Sequence, residues 1–245
     1  MSPRFMRHFH IFNLQDTSEE TMTHIFMSQI TYFLHKKKFN ENIVQTMPEI
    51  TVSATIDLYT QITQNLLPTP SKFQYIFNLR DISKIFQGIM LSKPQTVFEP
   101  DTFIKLWVHE CSRIFADRLM ARADHDYYES LIVEAISQRF KTRWTDRKED
   151  LPDFVFGPGT EIIFSPIPTL EKCGPADPEY RLVIDRKHLH RVLKNRLEDY
   201  NYKNPSYKMD LVFFEEAMKY VNKITRVLMQ PRSNAMLIGL AGFGK

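Results

Sequence analysis

The C-terminal residues of the chain have the spacing of a phosphate-binding loop. The P-loop pattern G-x-x-x-x-G-K is satisfied by the sequence GLAGFGK, which contains Gly239, Gly242, Gly244 and Lys245; the Ser or Thr expected next would follow the last residue. Glycines allow the backbone to turn so that successive N–H groups face phosphate oxygens, and the lysine adds a positive charge. The apolar run Ala235–Ile238 predicts a buried parallel strand that leads into this turn. The alternative interpretation is a glycine-rich tail without a site.

Three arginines elsewhere in the chain are candidates for phosphate contacts. Arg80 lies in the first turn of a predicted helix, where the helix dipole disfavours a cation by roughly a few tenths of a kcal/mol, so an anion should compensate. Either the adjacent Asp81 neutralises it, or Arg80 reaches a nucleotide phosphate at the helix N-terminus. Arg4 and Arg7 are either simple surface charges or fingers that reach the nucleotide of a neighbouring module, and their spacing alone favours the surface interpretation.

The sequence gives little reason to expect a metal site. His8 and His10 form one H-x-H pair, and His188 and His190 form another on a predicted helix. Side chains two residues apart on a helix point to different faces, and no cysteine or clustered carboxylate lies nearby. We therefore predict no metal ligands, and we find no serine, cysteine or acid pair positioned for hydrolysis.

Composition places the chain among ordinary globular proteins. Of 245 residues, 43% are hydrophobic and 25% are charged, which argues against disorder and against a fibrous repeat. The net charge of +3 is too small to indicate nucleic acid, and no apolar run reaches the roughly 18 residues of a membrane span. Two cysteines, Cys111 and Cys173, make neither a disulfide framework nor a metal knuckle, so we expect a reducing compartment.

Apolar residues at helical spacing predict a bundle in the first part of the chain. The expected helices run from a capping box at Thr17 to Lys36–Lys38, from Glu41 to Asn65 with an interruption or a bend near Pro48, from Asn78 as N-cap to before Pro94, from Asp101 through Leu119, and from Tyr127 to Phe140. Before them, Phe9, Ile11 and Phe12 suit one short strand. Such a strand needs partners in a sheet, which we expect upstream of Met1.

Prolines and glycines mark a connector after this bundle. Six prolines fall between Pro152 and Pro178, and we predict that residues 150–180 are held loosely. Beyond them we expect helices from Asp185 to Tyr200 and from Met209 to Leu228, the latter with an apolar stripe and ended by Pro231. The predicted units are therefore residues 1–15, 16–145, 146–184 (the connector) and 185–245.

Several segments together resemble the motor region of a dynein heavy chain, most closely the axonemal type, over nearly the whole length. They are PRFMRHF (3–9), NLRDISKIFQG (78–88), LWVHE (106–110), RIFADRL (113–119), MDLVFFEEA (209–217), ITRVL (224–228) and QPRSNA (230–235). In that family's order, the first looks like the end of the third AAA+ large subdomain, the next three like its helical lid, and the last three like the start of the fourth module.

The resemblance implies a mainly α fold. Residues 1–15 would hold the last strand region of the third large subdomain, and residues 16–145 the lid bundle and the helix that follows. An irregular connector would then lead to a helix, a strand and the P-loop of an α/β module. Arg80 would match the lid sensor arginine, Arg4 or Arg7 would match the arginine finger, and Gly239, Gly242, Gly244 and Lys245 would match the fourth module's P-loop.

The resemblance also implies an ATP-driven microtubule motor of the cytoskeleton and the ciliary axoneme, in which this chain bridges two modules and relays nucleotide state. ATP or ADP with Mg²⁺ would be bound in the intact motor. Partners would be the remaining modules of the heavy chain and, through absent regions, microtubules and dynein light and intermediate chains; no nucleic acid or membrane is expected. We expect this chain alone to hydrolyse no ATP, because both nucleotide sites are incomplete. The alternative is a free-standing helical interaction protein without a nucleotide site.

Overall fold

The computed structural model describes residues 2–13, 17–140, 155–156, 162–169, 179–230 and 232–239, which are mainly helical. The helices are α1 (Pro3–Met6), α2 (Glu19–Lys37), α3 (Glu41–Asn65), α4 (Leu79–Ile89), α5 (Pro100–Ile114), α6 (Arg122–Gln138), α7 (Arg186–Lys203) and α8 (Glu215–Leu228). Short 3-10 turns lie at Ala116–Arg118, Ile167–Thr169 and Pro205–Tyr207. Strands β1 (Phe164–Ser165) and β2 (Arg181–Leu182) pair antiparallel, with Phe164 opposite Leu182. The predicted mainly α fold is confirmed.

Helices α2 to α6 surround one apolar core, as the predicted bundle requires. Helix α2 begins after Ser18, whose side chain accepts a hydrogen bond from the Thr21 N–H at 3.3 Å, so Ser18 rather than Thr17 is the cap. Its buried side chains recur at helical spacing: Met22, Phe26, Ile30, Phe33 and Leu34. They lie in the same core as the buried side chains of α3, α4 and α5.

A buried hydrogen bond joins α3 to α5 inside this core. Trp107 Nε1 donates to Thr55 Oγ1 at 2.8 Å, and Thr55 Oγ1 donates to the Thr51 carbonyl at 2.6 Å. Helix α3 has the predicted bounds, and Pro48 lies inside it without ending it. Because proline has no N–H, the helix lacks one backbone hydrogen bond there, and packing on the core compensates for it.

The connector packs against the bundle where the structure describes it. Val155, Phe164 and Tyr180 are buried and belong to the same core as α2 to α6. The predicted loose connector is therefore wrong for these residues. The prolines prevent regular structure, but the apolar side chains between them still gain about 1.5 to 3 kcal/mol each from full burial.

The last two helices form a smaller cluster. Helix α7 begins after Asp185, which accepts a hydrogen bond from the Lys187 N–H at 2.8 Å, so the predicted start is confirmed. Helix α8 begins at Glu215, later than the predicted Met209. Residues 209–214 are irregular, and their apolar side chains are mostly exposed. Short helices depend on packing of an apolar face, and in this segment Phe213 alone packs against the cluster that contains Ile167 and Leu189.

Neither of the two predicted isolated strands forms in the described residues. The chain makes the one-turn helix α1 and then continues irregularly through Phe9–Phe12, and Ala235–Ile238 is irregular as well. Phe12, Met236 and Ile238 are largely exposed. A strand is stable only beside another strand, and β1 and β2 pair with each other. The apolar runs therefore remain uncovered.

The described residues contain neither a membrane-spanning helix nor a cluster of metal ligands. In the described part of the chain, no helix is long and apolar enough to cross a bilayer. Those residues also contain no group of three or more His, Cys, Asp or Glu side chains that could hold a metal ion. The His8/His10 pair lies in the exposed N-terminal segment, and the His188/His190 pair lies on the exposed side of α7.

Candidate functional site

The N-terminus of α4 is closed by reciprocal hydrogen bonds. The Asn78 side chain accepts from the Arg80 N–H at 3.0 Å, and Asp81 Oδ2 accepts from the Asn78 N–H at 3.1 Å. This is the capping box of the helix, and it confirms Asn78 as the N-cap. The first turn of α4, including Arg80, is thereby fixed in place.

Arg118 holds the Asp81 carboxylate from the neighbouring 3-10 turn. Its guanidinium makes a two-pronged contact with Asp81, with Nη1 at 3.0 Å from Oδ2, and Nη1 also donates to the Ile76 carbonyl at 3.0 Å. The same guanidinium lies over the Phe77 ring, 5.5 Å from its centroid. Burial would raise the pKa of Asp81, but the hydrogen bonds from Arg118 and the Asn78 N–H outweigh it and lower that pKa.

Arg80 is left exposed beside this clamp. Asp81 pairs with Arg118 and, at 3.5 Å, with Lys84, and no ion pair joins it to Arg80 in the described residues. The Arg80 side chain has no carboxylate partner in that part of the chain either. The sequence left two interpretations of Arg80 open, and the Arg80–Asp81 ion pair that one of them requires is not formed.

A second polar cluster is buried between α5, α8 and the connector. Glu110 of α5 is fully buried, and its Oε2 accepts from Arg113 Nε at 2.9 Å and from Arg226 Nη2 at 2.8 Å. Tyr180 donates to Glu110 Oε1 at 2.6 Å and accepts from Arg226 Nε at 3.2 Å. We call Glu110, Arg113, Tyr180 and Arg226 the buried junction. It ties the bundle to the last helix.

The two arginines of the buried junction keep the Glu110 carboxylate ionised. Burial is the largest single effect on the pKa of Glu110 and would raise it. The charges of Arg113 and Arg226 together outweigh burial and hold the pKa below its ordinary value. Burial, with the neighbouring Glu110 charge, raises the pKa of Tyr180 well above its ordinary value, so its hydroxyl stays a neutral donor. The cluster is an ion pair with its hydrogen bonds satisfied, not a proton donor or acceptor poised for catalysis.

Gly88 of α4 makes room for this cluster. A Cβ added at this position would lie 1.8 Å from Glu110 Oε2 and 2.7 Å from Arg226 Nη2. Carbon and oxygen atoms that are not bonded do not approach so closely. Only glycine therefore lets the Glu110 carboxylate lie against the backbone of α4.

His109, next to Glu110, packs against the connector. Its Nδ1 lies 3.0 Å from the Ile162 carbonyl oxygen, which can only accept, so Nδ1 carries the proton. Burial lowers the pKa of the ring. The ring contacts Phe164 and Tyr180 at centroid distances of 5.7 and 6.2 Å, and those two rings are 5.7 Å apart, so the three rings pack against one another. His109 of α5 is thus a neutral residue that packs against the connector.

The buried face of α8 is polar rather than apolar. Ser165 donates to Asn222 Oδ1 at 2.5 Å, and Lys223 Nζ lies 2.8 Å from Asp117 Oδ1. Asn222 and Arg226, one turn apart, are the buried residues of α8, whereas Lys223 is exposed. Met218 and Val221 of the predicted apolar stripe pack against the cluster formed by Ile167 and α7, so the stripe docks in part.

A small cavity of about 80 Å³ lies beside the buried junction. Its walls include Val108, Arg113, Phe164, Lys219, Asn222 and Arg226. At about 30 Å³ per water molecule it has room for two or three waters, whereas pockets for small-molecule ligands have volumes of roughly 300 Å³ or more. The cavity is therefore not a nucleotide site.

The other predicted site residues are not brought together with Arg80. Arg4 lies in α1 and Arg7 directly after it, both exposed, and Arg7 Nε is 3.3 Å from His8 Nε2. Gly239 is exposed at the end of an irregular segment. The predicted P-loop residues Gly242, Gly244 and Lys245 lie outside the described residues. In the described ranges, no hydrogen bond or ion pair links Arg4, Arg7 or Gly239 to Arg80.

Sequence reasoning missed the residues that organise both clusters, Gly88, Glu110, Arg118 and Arg226. One signal was available. Glu110 interrupts the apolar spacing of α5, where Leu106, Trp107 and Ile114 are buried. A charged residue in a core position calls for a buried partner.

The helices that carry these clusters match a known class. The AAA+ lid domain model matches residues 51–149, which include α4, α5, Gly88 and Glu110. The bundle is therefore an AAA+ lid. The model of the P-loop containing dynein motor region D4 matches residues 209–245, which include α8 and Arg226.

Relatives that match along the whole of this chain identify the family within the AAA+ class. Over the whole chain, the sequence is 37% identical to dynein axonemal heavy chain 6 of Homo sapiens, 34% to the ciliary dynein beta chain of Tripneustes gratilla and 34% to dynein axonemal heavy chain 12 of Mus musculus. The chain belongs to the dynein heavy chain family. It spans 6%, 5% and 8% of the lengths of these three relatives.

Proposed function

We propose that this chain works within an ATP-driven microtubule motor of the cilium, where it joins the lid of one AAA+ module to the start of the next. In this proposal, residues 1–15 end the preceding large subdomain and residues 16–145 are the lid with its following helix. Residues 146–184 connect, and residues 185–245 begin the next module. The names of the axonemal and ciliary relatives support the ciliary location. Other modules of the heavy chain, microtubules, and light and intermediate chains are the proposed partners.

The observation that carries this proposal is the buried junction. Glu110 belongs to the part of the chain that matches the lid model, and Arg226 belongs to the part that matches region D4. Their contact is 2.8 Å long and almost fully buried on both sides. Removing one partner from a buried ion pair typically costs about 3 to 5 kcal/mol, so α8 has to follow the lid when the lid moves.

A nucleotide would meet this chain at three places. The exposed Arg80, which has no carboxylate partner among the described residues, fits a phosphate, because a guanidinium at a fixed helix start can donate two parallel hydrogen bonds. Gly239, Gly242, Gly244 and Lys245 would form the P-loop of the following module, and Arg4 or Arg7 would be an arginine finger for the preceding one. Bound ATP supplies the phosphate charge and the free energy of hydrolysis. The described residues offer cations rather than a carboxylate site, so we assign no Mg²⁺ ligand to them.

The proposal is tested by cutting the buried junction in a dynein motor that contains this segment. Arg226→Met removes the charge that crosses from α8 to the lid while keeping most of the side-chain volume. We expect microtubule gliding to slow several-fold, because lid movement no longer reaches the next module. Circular dichroism and ATP turnover should show that the variant motor remains folded.

Arg122→Met is the matched control. Arg122 is an exposed arginine of α6 whose ion pair with Asp126 lies at the surface, where such pairs contribute about 0 to 1 kcal/mol. This variant should glide like the unmodified motor. If a folded Arg226→Met motor also glides at the unmodified speed, the buried junction does not couple the two modules and the proposed role fails.

A further inference from the structure

Helix α7 carries the chain's entire excess of positive charge. Its sequence RKHLHRVLKNRLEDYNYK holds six Lys and Arg residues and two acids, a net charge of +4. The whole chain holds 32 Lys and Arg residues against 29 Asp and Glu, a net charge of +3. All residues outside α7 together therefore have a net charge of −1, so the basic character of the protein is local to one helix.

Three of these cations form a stripe on the outer side of α7. Lys187, Arg191 and Lys194 follow each other at i, i+4 and i+7, and all three are exposed. The opposite side of the helix packs inward through Leu189, Val192 and Leu193, which contact Ile167. Lys187 and Arg191 have no carboxylate partner in the described ranges, and Lys194 lies 4.0 Å from Glu198. We call Lys187, Arg191 and Lys194 the basic stripe.

The basic stripe is unfavourable for α7 by itself. Like charges at i, i+3 and i, i+4 repel each other, and cations in the first turn oppose the helix dipole. The first turn of α7 contains no acidic residue, so the carboxylate of the Asp185 cap balances these cations only in part. Helix α2 has the favourable arrangement, with Glu19 and Glu20 in its first turn and Lys36 and Lys37 in its last. An external anion would remove the repulsion in α7.

The longest runs of acidic residues in these 245 residues are two residues long, so a second copy of this chain has no acidic run to match the basic stripe. An anionic membrane is a poor match, because the apolar side of α7 that would enter the lipid is already buried against Ile167. We propose that the basic stripe is a docking surface for an acidic polypeptide segment.

The test measures binding of a fluorescein-labelled oligoglutamate peptide to the 245-residue chain by anisotropy. One variant combines Lys187→Gln, Arg191→Gln and Lys194→Gln. The matched control combines Lys36→Gln, Lys37→Gln and Lys38→Gln, which also removes three exposed charges from one helix end and gives the same net charge. Circular dichroism checks both variants, and the basic-stripe variant should be at least as helical as the original because repulsion is removed.

We expect the basic-stripe variant to bind the peptide about tenfold more weakly, since three exposed ion pairs each contribute a factor of roughly two to five. The control should bind like the original chain, and added salt should weaken binding because it screens exposed charges. Equal weakening in both variants would mean attraction by net charge alone and would overturn the proposal. Absence of peptide binding would overturn it too, as would tighter stripe-dependent binding of duplex DNA or of phosphatidylserine vesicles.

Discussion

Replacing Gly88 with alanine tests the buried junction from the side of α4. In an ordinary helix interior, Gly→Ala stabilises by about 1 kcal/mol, because alanine restricts the unfolded chain and suits the helix. Here the new methyl group would lie 1.8 Å from Glu110 Oε2 and 2.2 Å from its Cδ. The carboxylate would have to move by more than about 1 Å to reach ordinary contact distance. Glu110 is fully buried and held by three neighbours, so it has no free space to move into.

The size of the effect follows from the bonds that must yield. Displacing Glu110 weakens its hydrogen bonds to Tyr180 and Arg226, and bonds to charged groups contribute about 1.5 to 3 kcal/mol each. Breaking a buried ion pair altogether costs about 3 to 5 kcal/mol. Subtracting the gain in helix propensity, we expect Gly88→Ala to lower the free energy of unfolding by about 2 to 4 kcal/mol. Urea denaturation followed by circular dichroism measures this difference.

Two comparisons separate the clash from a general effect of alanine. Gln87→Ala changes the adjacent exposed position of α4 and should leave stability within about 0.5 kcal/mol. In a Glu110→Ala/Arg226→Leu background the clashing atoms are gone, so Gly88→Ala should become neutral or stabilising there. If Gly88→Ala is as stable as the original chain, or if its effect is the same in both backgrounds, Glu110 does not occupy the space beside Gly88 and our account of the buried junction is wrong.

Two more predictions concern the start of α4 and the response to acid. In a dynein motor that contains this segment, Arg80→Ala should weaken nucleotide binding by about 1.5 to 3 kcal/mol without lowering the melting temperature, because it removes a phosphate contact and an unfavourable cation near the helix N-terminus; unchanged affinity would refute the sensor assignment. Asp81 and Glu110 have folded-state pKa values below their ordinary 3.8 and 4.5, so their stabilisation is present above those values and is lost as pH falls through the lower folded-state values. The melting temperature of the 245-residue chain should therefore fall steeply below pH 4.5, and it should fall less steeply in Asp81→Asn. The same pH dependence in both proteins would contradict this account of Asp81.

The sequence predicted the helices well because their signals are local. Apolar spacing and caps fix the start of α4 at Asn78 and both bounds of α3 without knowledge of the neighbours. The strands expected at Phe9–Phe12 and Ala235–Ile238 did not form because a strand depends on another strand, and local sequence does not say whether one is present. Residues 209–214 are similar, because Phe213 alone packs against the α7 cluster and the other apolar side chains of this segment are exposed.

The sequence identified one part of the candidate site and missed the other. Arg80 was identified because a cation in the first turn of a helix conflicts with a local rule. The buried junction was not, since Glu110 and Arg226 are 116 residues apart, and the position of Glu110 in the apolar spacing of α5 does not say which cation pairs with it. The need for glycine at position 88 is explained only by the Glu110 carboxylate that lies against it in the structure.

The free energies of two ion pairs indicate which contact holds α8 to the lid. The Lys223–Asp117 pair is exposed, with 46% and 38% of the two side chains accessible, so it contributes about 1 kcal/mol at most. The Glu110–Arg226 pair is almost fully buried, and its loss costs about 3 to 5 kcal/mol, part of which is the penalty of a stranded charge. If α8 passes lid movement to the next module, the Glu110–Arg226 pair is the contact strong enough to do so. The exposed Lys223–Asp117 pair only helps to align the helix. Asp117→Asn should therefore leave coupling intact where Arg226→Met removes it.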